Sequence, residues 1–396
     1  MIRFIEQMDL DKKRVFLRVD FNVPLNEKLE ITDDNRIKAA LPTIINALDA
    51  GARLLVASHL GRPKGERKPE LSMVPVAERL GLLLDKEVRM APDCIGQEVE
   101  DMVDRLEPGQ ILMLENLRFY KGETKNDPEF AAALARLCDA YVNDAFAVSH
   151  RAHASIVGVP ERVKDCGAGF LMKNEITYFE KAMNNPERPF LAILGGAKVS
   201  SKLGAIENIL PKVDSLIIGG AMANTFLLAK GFAVGKSLVE KDLVDIAKDI
   251  IEKAEESKTK LLLPVDVVVV KELAPDVPYE EMPVEQIPAD GMIVDIGAQT
   301  IDLFVQEIKQ AKTIVWNGPV GAFEVEPFDR GTNEIARAIG SSTALSIIGG
   351  GDTGAAVKKA GESDNVSYIS TGGGAFLTLL EGKELPGFKV LESCAG

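Results

Sequence analysis

Short apolar runs alternate with amphipathic stretches over the first 170 residues of the chain. The segments RVFLRVD (14–20), RLLVASH (53–59), ILMLEN (111–116) and AYVNDAF (140–146) have the length and composition of buried strands. The stretches between them, of which Asn35–Gly51 is the clearest, place apolar residues at helical spacing and end on a glycine. Strands that alternate with helices predict βαβ units and a parallel, doubly wound sheet.

A second pattern, an apolar run followed by glycines, repeats through the other half of the chain. It is clearest at Phe190–Leu194, which reads as a buried strand and is followed by Gly195 and Gly196. Lys198 and Lys202 have the i, i+4 spacing that predicts one shared face of a helix beginning there. A glycine turn with two cations suits a phosphate chain, although an ordinary βα turn with solvated lysines fits the same residues. The same unit recurs near residues 219, 349 and 372, and the apolar runs at 266–270 and 292–297 are expected to be further strands of this second sheet.

Length and pattern divide the chain into two domains. At roughly 100–200 residues per domain, 396 residues exceed one ordinary core. A helical pattern runs from about residue 167 to 185 and ends in the turn-and-proline segment NNPERP. We therefore expect an N-terminal domain over residues 1–170, an interdomain helix and linker over 171–187, and a C-terminal domain over 188–384.

Composition and charge exclude several classes of partner. The net charge of −14 repels nucleic acid and anionic membrane surfaces, and no run of about 18 apolar residues is present to span a bilayer. The segment MIRFIEQMDL has no apolar signal region, and four scattered cysteines without a C-x-x-C motif fit free thiols in a reducing compartment. We expect a cytoplasmic protein with small-molecule partners and, although no sequence feature fixes the oligomeric state, a monomer.

The two halves concentrate different groups that bind anions. Fourteen of the 17 arginines lie within residues 1–162, whereas 24 of the 34 glycines lie from residue 195 onward. Arginine grips carboxylate and phosphate groups bidentately, and glycine-rich loops offer backbone N–H groups to nucleotide phosphates. The halves are therefore interpreted as sites for two different anions, against the alternative of compositional drift between domains.

Polar side chains follow the predicted strands of the first half, at the sheet edge where ligands of such folds bind. Four arginines in equivalent positions indicate an anion site, whereas the histidines fit scaffold roles equally well. A zinc site at His150 and His153 lacks the cysteine or carboxylate partners that it needs. The side chains in question are Asp20, Asn22, Arg36, His59, Arg62, Arg118, His150 and Arg151.

Two acids of the second half are candidates for nucleotide chemistry. Asp352 follows three glycines at a predicted helix start, where it is either an N-cap or, as we favour, a Mg²⁺ ligand beside a phosphate chain. Glu324, a lone acid among apolar residues, is interpreted as a ribose ligand. The segment GFAVGKS (231–237) resembles a Walker A loop but has only three residues between its glycines, and no G-x-G-x-x-G follows a strand.

Seven motifs together resemble the phosphoglycerate kinase family. The first half contains DFNVP (20–24), SHLGRPKG (58–65), LENLRFYKGE (114–123) and HRAHAS (150–155). The second half contains GGAKVSSK (195–202), WNGPVGAFE (316–324) and GGGDT (349–353). The resemblance covers the whole chain in the expected order and length.

The resemblance implies an α/β protein of two Rossmann-like domains with parallel sheets, joined by a hinge helix, with the tail 385–396 packing back on the first domain. It implies reversible transfer of the acyl phosphate of 1,3-bisphosphoglycerate to Mg-ADP, giving 3-phosphoglycerate and ATP, with Mg²⁺ as cofactor. Such a transfer is direct and in line, with domain closure, and needs positioning and charge stabilisation rather than a protein nucleophile. No Ser-His-Asp or Cys-His arrangement is evident in the sequence.

Carried over motif by motif, the resemblance also implies site residues. Arg36, Lys198 and Lys202 are the catalytic candidates. The phosphoglycerate-binding candidates are Asp20, Phe21, Asn22, Arg36, His59, Leu60, Gly61, Arg62, Arg118 and Arg151. The nucleotide-binding candidates are Lys198, Lys202, Gly297, Asn317, Glu324, Gly350, Gly351, Asp352 and Thr353, with Asp352 toward the metal.

Two departures from the family pattern affect these expectations. Ser201 stands where many members carry an acidic residue, so metal coordination rests more heavily on Asp352. The loop AVSHR (147–151) replaces the commoner GTAHR but retains His150 and Arg151.

Two other functions fit parts of the sequence. A kinase for a different carboxylate, such as an amino acid, fits the composition, but the arginine motifs argue against it. A non-catalytic two-lobed protein that closes on an anion fits the two domains, and an absence of ADP binding would favour it.

Overall fold

The computed structural model of the protein describes residues 1–394, so the last two residues of the expected C-terminal tail lie outside the described residues. The chain forms two compact units. The N-terminal unit comprises Met1–Ile176 together with the residues from Glu384 onward, and the C-terminal unit comprises Thr177–Lys383.

A parallel sheet of six strands organises the N-terminal unit as described. The strands are β1 (Arg14–Val19), β2 (Arg53–Ala57), β3 (Val88–Met90), β4 (Ile111–Met113), β5 (Ala140–Asp144) and β6 (Asp165–Ala168). They lie in the order β3-β4-β2-β1-β5-β6, and every neighbouring pair is parallel. The four predicted strands are confirmed, but each ends one to three residues early because the last residues of each run leave the sheet to form loops.

Helices cover this sheet. They are α1 (Asn35–Asp49), α2 (Val74–Leu84), α3 (Gln97–Asp104), α4 (Lys121–Lys125) and α5 (Pro128–Ala135). Helix α1 buries one stripe, including Ile37, Ile44 and Ala47, in the same core cluster as Val15 and Leu17 of β1. This is the pattern that the helical spacing of the sequence predicts. The next helix, α6 (Phe170–Met183), contains the boundary between the two units.

The C-terminal unit contains a second parallel sheet of six strands and a smaller antiparallel sheet. Its strands are β7 (Phe190–Leu194), β8 (Ser215–Ile218), β9 (Lys260–Leu262), β10 (Asp266–Val270), β11 (Glu280–Pro283), β12 (Met292–Ile296), β13 (Thr313–Asn317), β14 (Leu345–Gly349) and β15 (Tyr368–Ile369). The parallel sheet has the order β15-β14-β13-β7-β8-β9. Its helices are α7 (Leu203–Ile209), α8 (Met222–Ala229), α9 (Val244–Glu256), α10 (Ala298–Gln310), α11 (Arg330–Gly340), α12 (Gly351–Lys359) and α13 (Gly373–Leu380).

The prediction that residues 266–270 and 292–297 join the parallel sheet is wrong. Strands β10 and β12 pair antiparallel with each other, and β11 pairs antiparallel with β10. A short apolar run predicts a buried strand but not the direction of its partner. The third strand, with the sequence EEMP, has no apolar pattern that would have revealed the separate sheet.

The expectation of four free thiols is also wrong for two of the cysteines. Cys166 on β6 and Cys394 on the last helix, α14 (Pro386–Cys394), form a disulfide with their Cα atoms 5.9 Å apart. The two residues are 228 positions apart, so no local spacing reveals the pair. Cys94 and Cys138 are free and buried, and burial raises the pKa of the Cys138 thiol to about 12.

We expect the disulfide to stabilise the attachment of α14. The Cys394→Ser variant should lose roughly 2–4 kcal/mol of local unfolding free energy, because the bond restricts the unfolded chain. Hydrogen exchange of the α14 amides measures this loss, and a dithiol reductant should affect the parent but not the variant. Equal exchange rates in the parent and the variant under oxidising conditions would contradict the expectation.

No helix in residues 1–394 is both long enough and apolar enough to cross a membrane.

Candidate active site

In the N-terminal unit the candidate residues follow four neighbouring strands, β4, β2, β1 and β5. Two backbone-to-side-chain bonds join the loops after β1 and β2, and a third lies within the loop after β1. Phe21 N donates to Ser58 Oγ at 2.8 Å, Gly61 N donates to Asn22 Oδ1 at 2.8 Å, and Asn22 N donates to Asp20 Oδ1 at 3.3 Å. The DFN and HLGR motifs therefore form one connected edge of the site.

The loop after β4 is fixed to the same edge. Arg118 Nη1 donates to Gly61 O at 2.9 Å, and Asn116 Nδ2 donates to Leu60 O at 2.8 Å. Gly61 has a φ of +62°, a conformation that few other residues adopt without strain. The loops thus place the Arg118 guanidinium beside the backbone of the HLGR motif.

Arg118 lies in a strongly positive environment. Its side chain is buried, and its Nε has no hydrogen-bond partner among the described residues. Burial, together with the positive charges of Arg18 and Arg151, lowers the pKa of Arg118 to about 10. The acids Glu123 and Asp20 offset this effect only in part, so an anion bound beside Arg118 would be stabilised.

Arg36 and His59 both approach Asp20. Arg36 Nη1 pairs with Asp20 Oδ2, and His59 Nδ1 lies 3.8 Å from Asp20 Oδ1. Burial and the nearby charges of arginines 18, 118 and 36 keep the pKa of His59 well below its ordinary value. His59 is therefore neutral at pH 7 and acts on a ligand as a hydrogen-bonding group rather than as a cation.

Arg62 and Arg151 are exposed. Arg151 Nε lies 3.1 Å from His150 Nε2, and Arg62 makes no hydrogen bond or ion pair with any residue in the described range. Both guanidinium groups are therefore available to a ligand.

A buried hydrogen-bond network, which the sequence did not predict, lies beneath these residues. Arg18, fully buried on β1, donates from Nε to Ser155 Oγ at 2.7 Å and places Nη2 3.3 Å from His59 Nδ1. Glu123 accepts from Ser155 N at 3.0 Å and from Ser155 Oγ at 2.6 Å, and lies 3.9 Å from Arg18. The signal available in the sequence was an arginine inside an otherwise apolar strand.

In the C-terminal unit all candidates except Gly297 follow β7, β13 and β14, which are adjacent. Gly195 N donates to Asn317 O at 3.0 Å, and Gly196 N donates to Pro319 O at 2.9 Å. A Cβ at position 195 would lie 2.2 Å from Pro319 O, so only glycine permits this approach of the two loops. The strand-end loops are thus packed backbone to backbone.

The prediction that Lys198 and Lys202 share one helical face is wrong. Lys198 has extended backbone angles, residues 199–201 form a 3₁₀ turn, and α7 begins only at Leu203. Lys198 is exposed, whereas Lys202 is half-buried with its Nζ bonded to Asn317 Oδ1. The i, i+4 spacing cannot distinguish an α-helix from a short tighter turn, and here the two ammonium groups have different environments.

Lys202, Asn317 and Thr353 form a connected polar group. Asn317 Nδ2 donates to Gly349 O at 2.8 Å, and Thr353 Oγ1 accepts from Gly318 N at 2.7 Å. Burial lowers the pKa of Lys202 to about 8, and the charge of Asp352 partly offsets this effect. Lys202 is therefore close enough to Asp352 for their charges to interact.

The start of α12 offers backbone donors. Gly350, with φ of +100°, is the N-cap, so the alternative that Asp352 caps this helix is wrong. Asp352 instead lies exposed in the first turn. A Cβ at Gly351 would meet nothing within 4 Å, so there is open space beside the first turn of the helix, whose N–H groups have no partner within the helix.

A cavity of about 310 Å³ joins these elements within the C-terminal unit. Gly196, Glu324, Asp352, Asp295 and Ile296 are among the residues that line it. Gly297 lies one residue beyond Ile296, as the N-cap of α10, and is not itself part of the lining.

Comparison with known proteins identifies the family of the chain. The family model for phosphoglycerate kinase matches residues 5–383 of the chain. The phosphoglycerate kinase of Geobacter metallireducens is 57% identical over 392 residues, which is 99% of this chain and 98% of that protein. The protein of that name from Syntrophobacter fumaroxidans is 51% identical over 395 residues, with full coverage of both chains.

The chain belongs to the phosphoglycerate kinase family. Solved structures agree with this assignment. The phosphoglycerate kinase of Coxiella burnetii has a TM-score of 0.92 at 44% identity, covering 100% of both chains. That of Pyrococcus horikoshii has a TM-score of 0.85 at 35% identity, covering 100% of this chain and 99% of the other. The resemblance and the two-domain α/β fold expected from the motifs are confirmed.

For this member of the phosphoglycerate kinase family we expect Asp295→Asn to change the pH dependence of stability. Burial raises the pKa of Asp295 to about 7 from 3.8, although bonds from Gly331 N and Ile296 N oppose the shift. Between these values the folded state binds the extra proton, so the parent loses stability as the pH rises.

The variant cannot titrate at this position. Between pH 5 and 7 its free energy of unfolding should therefore rise relative to that of the parent by up to about 1.4 kcal/mol per pH unit. Urea unfolding followed by fluorescence of the single tryptophan, Trp316 on β13, reports on this unit. Parallel pH profiles for the two proteins would contradict the assignment.

The environment of Lys202 leads to a prediction about ADP. Lys202→Ala should raise the ADP dissociation constant roughly 10-fold or more, since a partly desolvated cation loses its interaction with phosphate. Titration calorimetry measures the change, and the affinity for 3-phosphoglycerate should not move. Unaltered ADP binding would remove Lys202 from the nucleotide site.

Proposed function

We propose that the arginine-lined edge of the N-terminal unit binds phosphoglycerate and that the glycine-rich edge of the C-terminal unit binds the nucleotide. The reaction is that of the family, the reversible glycolytic transfer of a phosphoryl group between 1,3-bisphosphoglycerate and ADP. The observation that supports the assignment is the buried Arg118, whose Nε has no partner among the described residues and whose pKa is lowered by burial and by Arg18 and Arg151.

In the phosphoglycerate site the arginines have different tasks. Arg118 and Arg151 bind the non-transferred phosphate, with Arg62 closing from the exposed side. The neutral His59 and Asn22 orient the glycerate hydroxyl and carboxyl groups by hydrogen bonds. Asp20 holds Arg36 in the free protein and releases it to the acyl phosphate. Phe21, Leu60 and Gly61 contribute the backbone that fixes these side chains.

In the nucleotide site the phosphates lie over the first turn of α12. Gly350, Gly351 and Thr353 supply the turn, and Lys202 and Asn317 contact the phosphates. Glu324 accepts from the ribose, and Gly297, which follows the lining residue Ile296, lies near the base.

A Mg²⁺ ion fits the donor set at Asp352. Magnesium in nucleotide sites keeps several waters and binds through one or two carboxylates together with substrate phosphates. Asp352 is an exposed carboxylate at the cavity, and no group of three or more potential metal-ligating side chains occurs within residues 1–394. When bound, Mg²⁺ supplies positive charge that neutralises the nucleotide phosphates.

In the transfer itself, a terminal oxygen of ADP attacks the acyl phosphorus in line and the carboxylate of 3-phosphoglycerate leaves. Arg36 and Lys198 neutralise the charge on the equatorial oxygens of the moving phosphoryl group. The protein provides positioning and electrostatic stabilisation, and no covalent enzyme intermediate forms.

The remaining proposals concern domain closure, the domain boundaries, the oligomeric state and the cellular location. Each unit carries the residues for one substrate, so we propose that closure about the helix within 171–187 excludes water before transfer. The domain boundaries at 170 and 188 are supported by the division of the chain near Ile176. A monomer in the cytoplasm is proposed from the glycolytic role of the family, and the negative net charge disfavours nucleic-acid partners.

A coupled assay for ATP formation from ADP and 1,3-bisphosphoglycerate tests the function. We expect turnover that needs both substrates and Mg²⁺. Turnover with an amino-acid acyl phosphate instead, or ADP binding without turnover, would contradict the proposal.

A further inference from the structure

The segment that resembles a Walker A loop has a different role in the fold. Lys236 N donates to Gly291 O at 2.7 Å, and Ser237 Oγ accepts from Ile293 N at 2.9 Å, which attaches the loop at the start of β12. The chain then runs through residues 238–240 toward the turn that follows Lys198. We call residues 238–240 the strap.

Two buried polar side chains of α8 hold the strap. Asn224 Nδ2 donates to Leu238 O at 3.0 Å, and Thr225 Oγ1 accepts from Glu240 N at 3.2 Å. Asn224 and Thr225 are each 1% exposed, so these bonds satisfy groups that would otherwise be costly to bury. The backbone of Glu240 is therefore fixed from inside the unit.

The carboxylate of Glu240 binds the 3₁₀ turn between the two lysines. Glu240 Oε2 accepts from Ser200 N at 3.0 Å, and Oε1 accepts from Ser200 Oγ at 2.5 Å. Within the same turn Ser201 Oγ donates to Lys198 O at 2.8 Å. Glu240 thus fixes Ser200, two positions after Lys198. The bond from Ser201 Oγ to Lys198 O then restricts the Lys198 backbone as well.

Charge strengthens this contact. Burial alone raises the pKa of a carboxyl group, but the bonds from Ser200 and the charge of Lys198 bring the pKa of Glu240 below its ordinary value. Hydrogen bonds to an ionised carboxylate are about twice as strong as neutral ones. On the other flank the backbone of Gly196 is held by its bond to Pro319 O at 2.9 Å and by the bond from Met222 N at 3.0 Å.

We propose that Glu240 is a positioning residue for Lys198. It holds the 199–201 turn so that the exposed ammonium group of Lys198 can contact the phosphoryl group during transfer. The inference rests on the proposed role of Lys198. The Lys198 side chain makes no hydrogen bond or ion pair with the described residues, so its backbone is the part of the residue that the protein can fix. The strap gives a function to residues that the nucleotide site does not otherwise use.

The test compares kcat with the dissociation constants of ADP and 3-phosphoglycerate. Glu240→Ala should lower kcat about 10- to 100-fold, the cost of a misplaced catalytic group, while both dissociation constants stay within about threefold. Glu240→Gln, whose amide oxygen still accepts from Ser200, should recover most of the lost rate. In a Lys198→Ala background, Glu240→Ala should lower kcat by less than about a further twofold, because both substitutions act through the Lys198 ammonium group.

A matched control is Glu362→Ala, which removes another half-buried glutamate of this unit that accepts a side-chain bond, from Asn365 Nδ2 at 2.7 Å. Its kcat should equal that of the parent. If Glu240→Ala fails to fold by circular dichroism, Ser200→Ala replaces it, with a several-fold loss of kcat expected.

Two results would overturn the inference and leave the proposed function intact. One is a parental kcat in Glu240→Ala and Ser200→Ala while Lys198→Ala is slow, and the other is a full additional loss in the double variant. A parental kcat for Lys198→Ala would remove the catalytic role on which the inference rests. A parent without ATP formation would contradict the proposed function itself.

Discussion

Lys198→Ala is expected to lower kcat about 10²- to 10³-fold, or roughly 2.7–4 kcal/mol, the cost of removing one preorganised stabiliser of developing charge. The ammonium of Lys198 is exposed and unpaired in the described structure, and its backbone is extended rather than helical. A cation that meets the phosphoryl group only during transfer stabilises the transition state without strengthening ground-state binding. The dissociation constants of ADP and 3-phosphoglycerate should therefore stay within about threefold of the parent values.

Single-turnover kinetics is the appropriate measurement for this variant, because a slow domain motion or product release would mask a change in the chemical step. Lys212→Ala is a suitable control, since Lys212 is an exposed lysine of the same unit that contacts Asn208. An unchanged single-turnover rate would remove Lys198 from the mechanism. A weakened ADP affinity with an unchanged rate would instead assign to Lys198 the role proposed for Lys202.

Arg118→Lys is expected to raise the dissociation constant of 3-phosphoglycerate roughly 10- to 100-fold, from about 1.5–3 kcal/mol for hydrogen bonds to a charged group. The guanidinium is held by its bond to Gly61 O, and its Nε is buried without a partner among the described residues. A lysine keeps the charge but has no planar fork, so it cannot bind a phosphate bidentately. The affinity for ADP should be unaltered.

Arg136→Lys provides the matched control, because Arg136 is exposed in the same unit and pairs with Glu100. It should bind both ligands as the parent does. A substrate affinity that survives Arg118→Lys would mean that the phosphate is held elsewhere, with Arg62 and Arg151 as the next candidates.

Much of the fold follows from the sequence because period and length are local properties. The strand Phe190–Leu194 has the bounds that its apolar pattern predicts. The positions of the candidate residues also follow, since loops after parallel strands meet at one edge of a sheet. Arg36, Arg118 and Asn317 lie where this rule places them.

Other features depend on contacts that no local pattern encodes. The Cys166–Cys394 pair and the antiparallel β10–β12 pairing join distant segments. The geometry of Lys198 and Lys202 depends on a turn type that their spacing does not specify. Arg18 and Glu240 were missed because their roles are to hold other residues in place, and such a role becomes visible only when the partners, Ser155 and Ser200, are seen.

The central claim is that each unit binds its own anion, and titration calorimetry with each ligand separately tests it most directly. The parent, Arg118→Lys and Lys202→Ala would each be titrated with 3-phosphoglycerate and with ADP. We predict that Arg118→Lys loses affinity only for 3-phosphoglycerate and that Lys202→Ala loses affinity only for ADP. Equal losses for both ligands in either variant would contradict the assignment of the two sites.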